Sequence, residues 1–394
     1  MIPNTKYKIP NTKKVALTGG AASAEALRQI NPFVMPVYPI TPQTPIIESF
    51  AKICADGKAD TEIITVESEH SAISAAIGSQ AAGVRTVTAT SSQGLALMNE
   101  ILYIASGMRL PIVMLISARA LSAPLNIHGD HSDVMGARDT GWIQLFSETV
   151  QEVYDNTIIG TKLAEKSELP IMVVMDGFTT SHNVENLELL SDEIVKDFVG
   201  EYKNENALLN VDKPVSYGPV ALANSYFEFK LDQEESMNKV SDNCKEVMKE
   251  FKEISGTKYN VIEEYEMKDA ESVIIVMGAT AGTAKDAVDK LRKEGKKGGL
   301  LKIKLFRPFP YKAVAKALKN VKSVAVMDKA ISSGSMPALY SEINNTIRLA
   351  DLNEIKISSY IYGLGGRDIF IKDVEGIFEE LLDEKVVKGV KYIK

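Results

Sequence analysis

Short apolar segments alternate with helical stretches along the first half of the chain, and this rhythm constrains the fold more than any other feature. The predicted strands lie at 33–38, 62–67, 84–89, 111–117 and 170–175. Apolar strands separated by helices indicate a parallel sheet that is covered on both faces. The sequence therefore predicts an α/β fold with a doubly wound parallel sheet, whose ligands bind outside the carboxyl ends of the strands.

A second α/β unit follows in the last third of the chain. Strand, helix and strand patterns succeed one another from Glu271, after a charged helix at 226–256. One apolar stripe runs along that helix and includes Cys244, so we interpret this cysteine as a packing residue. We predict a first domain at 1–260 and a second at 262–394, since a chain of 394 residues fits two or three domains.

Composition argues against several classes of protein. The net charge is −7 and there is no long Lys/Arg block, which disfavours a nucleic-acid surface. No stretch approaches the roughly 20 apolar residues of a membrane span, and the N-terminal residues lack the apolar run of a signal peptide. The two cysteines, Cys54 and Cys244, cannot ligate an iron–sulfur cluster, which takes about four thiolates. We expect a cytoplasmic protein that binds neither nucleic acid nor membrane.

The stretch Tyr38-Pro-Ile-Thr-Pro-Gln-Thr-Pro45 directly follows a predicted strand. Its three prolines fix φ and remove donors, so the loop is stiff and costs little entropy to order around a ligand. The hydroxyl of Thr41 can donate to a substrate oxygen. The alternative is a rigid connector in which Thr44 caps the next helix.

The stretch Glu67-Ser-Glu-His70 joins another strand to a helix of small residues. Ser68 has the position of an N-cap, which puts Glu69 in the first turn. A carboxylate there is either a generic acid that favours the helix dipole or a catalytic group. His70 alone is interpreted as a structural histidine.

Hydroxyl residues and a glycine follow the next strand, in Thr90-Ser-Ser-Gln-Gly94, and suit a polar ligand at a helix start. Arg119 lies just past a further strand, where its planar fork can match a carboxylate; the alternative is a surface salt bridge. Arg109 is a second basic candidate, which we interpret as structural. Gly19 and Gly20 either allow the backbone to approach a ligand closely or form a plain strand-to-helix turn.

Two histidines and two aspartates lie within residues 128–133, which raises the question of a metal site. Their alternation is not the i, i+4 pattern of a helical zinc site, and no further ligand pair is apparent. We interpret this segment as a polar loop of an active site and predict no metal on this chain. A metal site remains the alternative.

Taken together, these stretches resemble the alpha subunits of the 2-oxoacid:ferredoxin oxidoreductases. The motifs that match in order and spacing are Tyr38-Pro-Ile-Thr-Pro, Glu67-Ser-Glu-His-Ser-Ala, Thr90-Ser-Ser-Gln-Gly-Leu, Ala118-Arg-Ala, Gly129-Asp-His, Arg138-Asp-Thr-Gly-Trp, Asp176-Gly-Phe-Thr-Thr-Ser-His and Arg307-Pro-Phe-Pro. The resemblance covers nearly the whole chain. It implies a pyrimidine-type thiamine diphosphate-binding domain, followed by an α/β domain like the C-terminal domain of transketolase.

The resemblance also implies roles for individual residues. Glu69 matches the glutamate that hydrogen-bonds the aminopyrimidine ring of thiamine diphosphate. Thr41 matches a residue that contacts the substrate, and Arg119 matches one that binds the substrate carboxylate; these three are the predicted catalytic residues. The predicted cofactor-binding residues are Pro39, Ile40, Glu69, Ser92, Gln93 and Gly94.

A complex of several subunits is implied as well. The resemblance places the diphosphate and its Mg²⁺ on a beta subunit and [4Fe-4S] clusters on beta and delta subunits, with a gamma subunit completing the set and ferredoxin accepting the electrons. The segment at 129–142 most resembles pyruvate enzymes, which act with coenzyme A. An enzyme for 2-ketoisovalerate is the alternative, and Thr41 argues against oxalate.

Two further alternatives belong to other classes of protein. A non-oxidative thiamine-dependent decarboxylase usually carries Gly-Asp-Gly and a later Asn-Asn in one chain, whereas Asn344-Asn345 here has no upstream Gly-Asp-Gly. A non-catalytic structural subunit need not keep Glu69, Thr41 and Arg119 together. Both observations favour a working half-site that is shared between subunits.

Overall fold

The computed structural model describes residues 12–383 and 385–394. Within these ranges no helix is long and apolar enough to cross a membrane. Residues 1–11, on which most of the signal-peptide expectation depends, lie outside the described residues. The described residues form two mainly parallel sheets with helices packed against them, and a separate antiparallel pair of strands, Lys13–Thr18 and Val184–Leu189.

Residues 12–260 contain eight strands and nine α-helices. The strands are β1 (Lys13–Thr18), β2 (Val34–Val37), β3 (Glu62–Thr65), β4 (Val87–Thr90), β5 (Val113–Ala118), β6 (Ile143–Phe146), β7 (Ile171–Asp176) and β8 (Val184–Leu189). The helices are α1 (Gly19–Ile30), α2 (Thr44–Ala55), α3 (Glu69–Ala82), α4 (Ser92–Leu97), α5 (Asn99–Gly107), α6 (Ser132–Gly136), α7 (Val150–Ser167), α8 (Asp192–Val199) and α9 (Tyr226–Ser255).

Strands β2 to β7 form the first sheet. Strands β4, β5, β7 and β6 pair in parallel in that order, β2 pairs in parallel with β3, and a parallel bridge between Val34 and Thr86 joins the two groups. In this sheet β3 lies on one side of β2 and β4 lies on the other, so the chain reverses its direction across the sheet after β3. The crevice between the carboxyl ends of β2 and β4 is therefore a topological switch point, where open α/β sheets bind ligands. We name it the first switch point.

The described residues from 261 onward contain seven strands, four α-helices and a short 3₁₀ helix at Leu364–Gly366. The strands are β9 (Ile262–Tyr265), β10 (Ser272–Val276), β11 (Gly298–Ile303), β12 (Leu305–Arg307), β13 (Ser323–Asp328), β14 (Lys356–Ile361) and β15 (Val390–Tyr392). The helices are α10 (Thr280–Lys293), α11 (Tyr311–Leu318), α12 (Ala338–Leu349) and α13 (Ile371–Leu382).

The second sheet has the order β15-β14-β13-β10-β11-β9 and is parallel except for β9. Strand β10 leads to β11 on one side, and the chain later returns to β13 on the other. The carboxyl ends of β10 and β13 thus flank a second switch point. Strand β12 leaves this sheet and pairs antiparallel with β6 of the first, with Leu305 opposite Leu145.

The main elements agree with the sequence-based expectations. The predicted strand at 84–89 is β4, shifted toward its carboxyl end, and the charged helix at 226–256 is α9. Cys244 is fully buried in the core, which confirms that it packs. At Gly19 an added Cβ would lie 2.5 Å from the carbonyl oxygen of Thr180. Protein backbone therefore occupies the space beside Gly19 that a ligand would need, which supports the interpretation as a plain strand-to-helix turn.

Candidate active site at the first switch point

Glu69 lies in the first turn of α3, which follows β3. The side chain of Ser68 accepts a hydrogen bond from the Ser71 N–H at 3.2 Å, as expected of an N-cap. Glu69 is only 7% exposed, and its carboxylate makes no hydrogen bond or ion pair with any residue that the structure describes. A buried charged group without a partner is costly. The unpaired carboxylate therefore indicates a position where a ligand supplies the partner.

Gly94 allows α4 to approach this carboxylate. A Cβ at position 94 would lie 2.7 Å from Oε1 of Glu69 and 2.4 Å from Oγ1 of Thr90, so no larger residue fits. The hydroxyl of Thr90 is also buried, and it has no hydrogen-bond partner within the described ranges. An unpaired carboxylate and an unpaired hydroxyl thus border one recess beyond the end of β4.

Asp133 connects α4 to the end of β5. Its Oδ2 accepts hydrogen bonds from the N–H of Ser92 at 2.7 Å and the N–H of Arg119 at 3.0 Å. Ser92 has a φ of 49°, a conformation that non-glycine residues rarely adopt without support. Burial raises the pKa of Asp133 to about 7, although the three backbone N–H groups that donate to it oppose this shift. Asp133 holds Ser92 and Arg119 in register beside the recess.

Arg119 is buried, with 6% exposure, and reaches across the first switch point. Its Nε donates to the carbonyl oxygen of Asn126 at 2.9 Å and its Nη1 to that of Thr41 at 2.8 Å. Burial lowers its pKa, opposed by the charge of Asp133, but an arginine stays cationic throughout. The surface salt bridge considered as the alternative is wrong, because Arg119 is buried, donates to two carbonyl oxygens and forms no ion pair with a described residue.

The stiff loop after β2 is fixed by Gln43. The side chain of Gln43 accepts from the N–H of Ile40 at 3.3 Å and donates to the carbonyl oxygen of Ala89 at 2.8 Å. This bridge ties the loop to β4 and leaves Pro39 and Thr41 exposed, with Ile40 half-buried. The loop thus presents Thr41 at the same crevice as Arg119.

Helix α2 begins at Thr44, and Gln43 occupies the N-cap position. The alternative in which Thr44 caps this helix is therefore wrong.

Gln93, the remaining predicted cofactor-binding residue, is half-buried, and its Oε1 accepts a hydrogen bond from the Ser92 hydroxyl at 2.7 Å.

The polar loop at 128–133 does not assemble a metal site within the described residues. His128 is exposed, whereas His131 is buried and its Nε2 lies 3.1 Å from Oδ1 of Asp176. Asp130 accepts from the N–H of Gly365 at 3.1 Å, and Asp133 turns toward α4. The acidic and histidine side chains of this loop therefore point to different partners and do not converge on one point. Their hydrogen bonds join the loop after β5 to neighbouring elements.

One group of carboxylates among the described residues is close enough to hold a cation: Glu148, Glu152 and Glu263. The ammonium of Lys302 is ion-paired with all three, so a side chain already fills the place of a metal.

Arg109 also has a structural role, since it pairs with the exposed Asp232 at 2.7 Å.

A cavity of about 760 Å³ lies beside the chain segment that follows Arg119. It is walled by that segment on one side and by residues after β13 and β14 on the other, among them Ala120, Asn126, Arg138, Ser332, Ser333 and Gly365. Its volume is in the range of small-molecule sites, which is roughly 300–1,000 Å³. Arg119 itself does not line this cavity, which borders the segment after Arg119 and not its guanidinium.

Two residues of the site were missed by the sequence analysis. Thr90 was noted only as part of a hydroxyl run, and its position directly after β4 was the available signal. Asp133 was considered only as a metal ligand. No local pattern shows that its carboxylate accepts from two backbone groups that lie 41 and 14 residues away in sequence.

Comparison with known families assigns both parts of the chain. Residues 25–249 match the family described as pyruvate flavodoxin/ferredoxin oxidoreductase, thiamine diP-bdg, and residues 270–374 match the pyruvate:ferredoxin oxidoreductase core domain II. The chain is 50% identical to the pyruvate synthase subunit PorA of Thermotoga maritima, over 95% of this chain and 96% of the relative. It is 45% identical to the PorA subunit of Methanocaldococcus jannaschii over 93% and 94%.

A ketoisovalerate oxidoreductase subunit VorA from Pyrococcus horikoshii is 40% identical over 98% of this chain and 97% of the relative. Among solved structures, a 2-oxoglutarate:ferredoxin oxidoreductase from Magnetococcus marinus matches with a TM-score of 0.72 and 20% identity, over 93% of this chain and 65% of that chain. A split-gene transketolase matches with a TM-score of 0.57 and 11% identity, over 94% and 99%.

The structural matches confirm the predicted fold class, and the relatives confirm the resemblance found in the motifs. Two family matches together span most of the chain, and several relatives exceed 40% identity over nearly its whole length. The chain belongs to the pyruvate:ferredoxin oxidoreductase family.

Proposed function

We propose that this chain is the alpha subunit of a pyruvate:ferredoxin oxidoreductase and supplies half of a thiamine diphosphate site. The complex oxidatively decarboxylates pyruvate to acetyl-CoA and CO₂ with coenzyme A and passes the electrons to ferredoxin. The observation that carries this proposal is the buried, unpaired carboxylate of Glu69 at the first switch point. The PorA relatives at 50% and 45% identity support pyruvate as the substrate.

The recess at Glu69 fits the aminopyrimidine ring of thiamine diphosphate. An aminopyrimidine needs a carboxyl group as hydrogen-bond partner at a ring nitrogen. The carboxyl group of Glu69 has no partner among the described residues and can take this role. Thr90 adds an unpaired hydroxyl, and the missing Cβ of Gly94 leaves room at the carboxylate. Pro39, Ile40, Ser92 and Gln93 border the same crevice and complete the proposed cofactor-binding set.

Thiamine diphosphate, when bound, supplies a carbon nucleophile and an electron sink for decarboxylation. Glu69 holds a proton between its carboxyl oxygen and the ring nitrogen, and burial away from water keeps that interaction strong. Arg119 binds the carboxylate of the 2-oxoacid through N–H groups that its two carbonyl partners leave free. Thr41 donates its hydroxyl to the substrate, so the acid is oriented before reaction.

The remaining parts of the site lie on partner subunits in this proposal. Large apolar side chains are exposed around the first switch point, namely Tyr38, Ile64 and Leu97 at 36%, 37% and 51%. Such a surface favours a protein partner, and a beta subunit that carries the diphosphate, Mg²⁺ and a [4Fe-4S] cluster fits this position. Two cysteines cannot ligate a cluster in this chain, and the resemblance to the family implies further clusters on beta and delta subunits, with gamma completing a cytoplasmic complex.

A 2-ketoisovalerate enzyme is the second candidate, and it rests on the VorA relative at 40% identity. Both enzymes would use Glu69, Thr41 and Arg119 in the same way, since their substrates share the 2-oxoacid group. They differ only in the size of the group beyond the keto carbon.

The test is to purify the chain with its native partners and measure coenzyme A-dependent reduction of a viologen dye. Pyruvate, 2-ketoisovalerate and 2-oxoglutarate are compared in parallel. We expect co-purified iron–sulfur subunits and a clear preference for pyruvate. A preference for 2-ketoisovalerate would keep the mechanism and change the substrate. A chain that purifies without iron or thiamine diphosphate would contradict the proposal.

A further inference from the structure

A small cavity of about 120 Å³ lies at the second switch point, away from Glu69. Residues after three neighbouring strands line it: Ala279, Thr280 and Thr283 after β10, Lys329 after β13, and Tyr362 and 366–369 after β14. Thr179, which follows β7 of the first sheet, closes one side. The cavity therefore occupies the place where a doubly wound sheet binds its ligands.

Helix α10 points its N-terminus at this cavity and has 14 residues. Thr280 is its first residue and is only 6% exposed, and its N–H meets no acceptor in the part of the chain that the structure describes. The N–H groups of a first helical turn carry partial positive charge and bind anions. The preceding N–H, that of Ala279, already donates to Oδ2 of Asp176 at 2.7 Å, which shows that this turn accommodates an oxyanion.

Tyr362 supplies a second, independent sign of a ligand. It is 1% exposed, and its hydroxyl forms no well-aligned hydrogen bond with a described residue; the side chain of Thr280 lies close enough to be a weak partner. Leaving a buried hydroxyl unpaired is costly. Burial also raises the pKa of Tyr362, so the hydroxyl stays protonated and can donate.

Lys329 adds a buried positive charge, since its side chain is only 8% exposed. Its ammonium donates to Oδ1 of Asp176 at 2.7 Å, which uses one of three N–H donors. Arg367 and Asp368 both lie at the exposed mouth, and their opposite charges add no net charge there. Inside the cavity the groups that can donate to a ligand include the Thr280 N–H, the Tyr362 hydroxyl and the N–H groups of Lys329 that Asp176 does not use.

We propose that the second switch point binds a phosphate group, either as free phosphate or as the end of a phosphate monoester. A tetrahedral oxyanion can accept from converging donors on several sides. The cavity is well below the roughly 300 Å³ of ordinary small-molecule pockets, so it takes a group of this size and no more. The rest of an ester extends past Arg367 into solvent. This site is independent of the thiamine chemistry proposed for Glu69.

The test is calorimetric titration of the purified complex with inorganic phosphate and, separately, with glycerol phosphate, at constant ionic strength. Tyr362→Phe keeps the ring and removes the donor, and should weaken binding about tenfold or more, as expected for a lost hydrogen bond to a charged group. Thr283→Val removes a hydroxyl from the cavity wall and should also weaken binding. The matched control is Tyr360→Phe, two residues earlier in β14; its hydroxyl donates to Glu380 at 2.9 Å, and the residue does not line the cavity.

Binding that depends on Tyr362 and not on Tyr360 supports the site. Tighter binding of the ester then identifies a phosphorylated small molecule as the ligand, and tighter binding of inorganic phosphate identifies the free ion. Equal affinity of Tyr362→Phe and wild type would overturn the proposal, because phosphate would then bind elsewhere in the complex. The absence of saturable phosphate binding to the wild-type complex would also overturn it.

Discussion

The two switch points have the same topology and opposite chemistry. At the first, a buried acid, Glu69, has no partner in the described chain, and the nearby Arg119 is held by carbonyl groups. At the second, the unmatched groups are donors around Lys329, and the local acid, Asp176, comes from the first sheet. Strand order thus determines where polar groups collect, whereas individual side chains determine what they bind.

The largest expected effect comes from Glu69→Gln, which tests the acid of the first switch point. Glutamine keeps the shape but cannot hold or transfer the proton, so dye-linked turnover should fall by about 10²–10⁴-fold, the usual range for a lost acid–base group. The measurement is coenzyme A-dependent viologen reduction by the assembled complex. Glu67→Gln is the control, because Glu67 is exposed and its carboxylate pairs only with Ser71 among the described residues. Turnover near wild type in Glu69→Gln would remove the basis of the proposed function.

Asp176→Asn tests the acid of the second switch point, which we expect to act in stability. The variant leaves the buried Lys329 without its anion, so the free energy of unfolding should fall by about 3–5 kcal/mol. Burial alone would raise the pKa of Asp176, but the ammonium of Lys329 and the hydrogen bond with His131 hold this pKa well below its usual range. This stabilisation is therefore present above the ordinary carboxyl pKa of about 3.9 and is lost as the pH falls through the lower folded value.

Denaturant titrations of the complex at several pH values measure this effect. Asp56→Asn is the control, since Asp56 forms exposed pairs with Lys52 and Lys58, which contribute little. Phosphate should also bind more tightly to Asp176→Asn than to wild type, because Lys329 loses its competing anion. A variant as stable as wild type at neutral pH would mean that the two switch points do not differ in this way.

Gly94→Ala tests the space beside Glu69 without changing any charge. The new Cβ would meet Oε1 of Glu69 at 2.7 Å and force it to shift, and a displacement on the order of 1 Å can cost about 100-fold in rate. The control is Gly78→Ala in α3, where an added Cβ meets nothing within 4 Å. Steady-state kinetics of both variants, with thermal unfolding to confirm folding, decide the matter. Equal kcat/KM in the two variants would show that the recess is not used.

Arg119→Lys should have the smallest of these effects. Lysine retains the charge but cannot span Asn126 and Thr41 with a planar fork, so the substrate carboxylate loses an oriented contact. We expect the KM for pyruvate to rise about tenfold, in line with one hydrogen bond to a charged group. Arg109→Lys, at an exposed ion pair, should leave the KM unchanged. An unchanged KM in Arg119→Lys would assign the carboxylate to another residue.

Much of the first switch point could be predicted from sequence because its signals are local. The Ser68 cap and the position of Glu69 in the following turn depend on neighbouring residues alone, and both are confirmed. The short strands were also recognised, because buried parallel strands are apolar throughout. The roles of Thr41, Glu69 and Arg119 in catalysis stay predictions until the variants are measured, and so does the division of the chain at residues 260–262.

What the sequence did not reveal depends on distant contacts. Asp133 accepts from Ser92 and Arg119, and Asp176 reaches Lys329 across 153 residues, so no window of neighbouring residues contains either arrangement. The alternative in which Thr44 caps α2 is wrong, because the helix already begins at Thr44 and Gln43 occupies the N-cap position. Strand β12 was missed since a three-residue strand carries too little pattern to be recognised.

Strand β12 has a mechanical consequence. It is covalently part of the second sheet's chain, yet it hydrogen-bonds to β6 at the edge of the first sheet, and the N–H of Phe146 donates to the carbonyl oxygen of Lys304 at 2.8 Å. Rotation of β12 away from the first sheet would break this pairing and expose Leu305, which is fully buried. The pairing therefore resists separation of the two parts of the chain at this point.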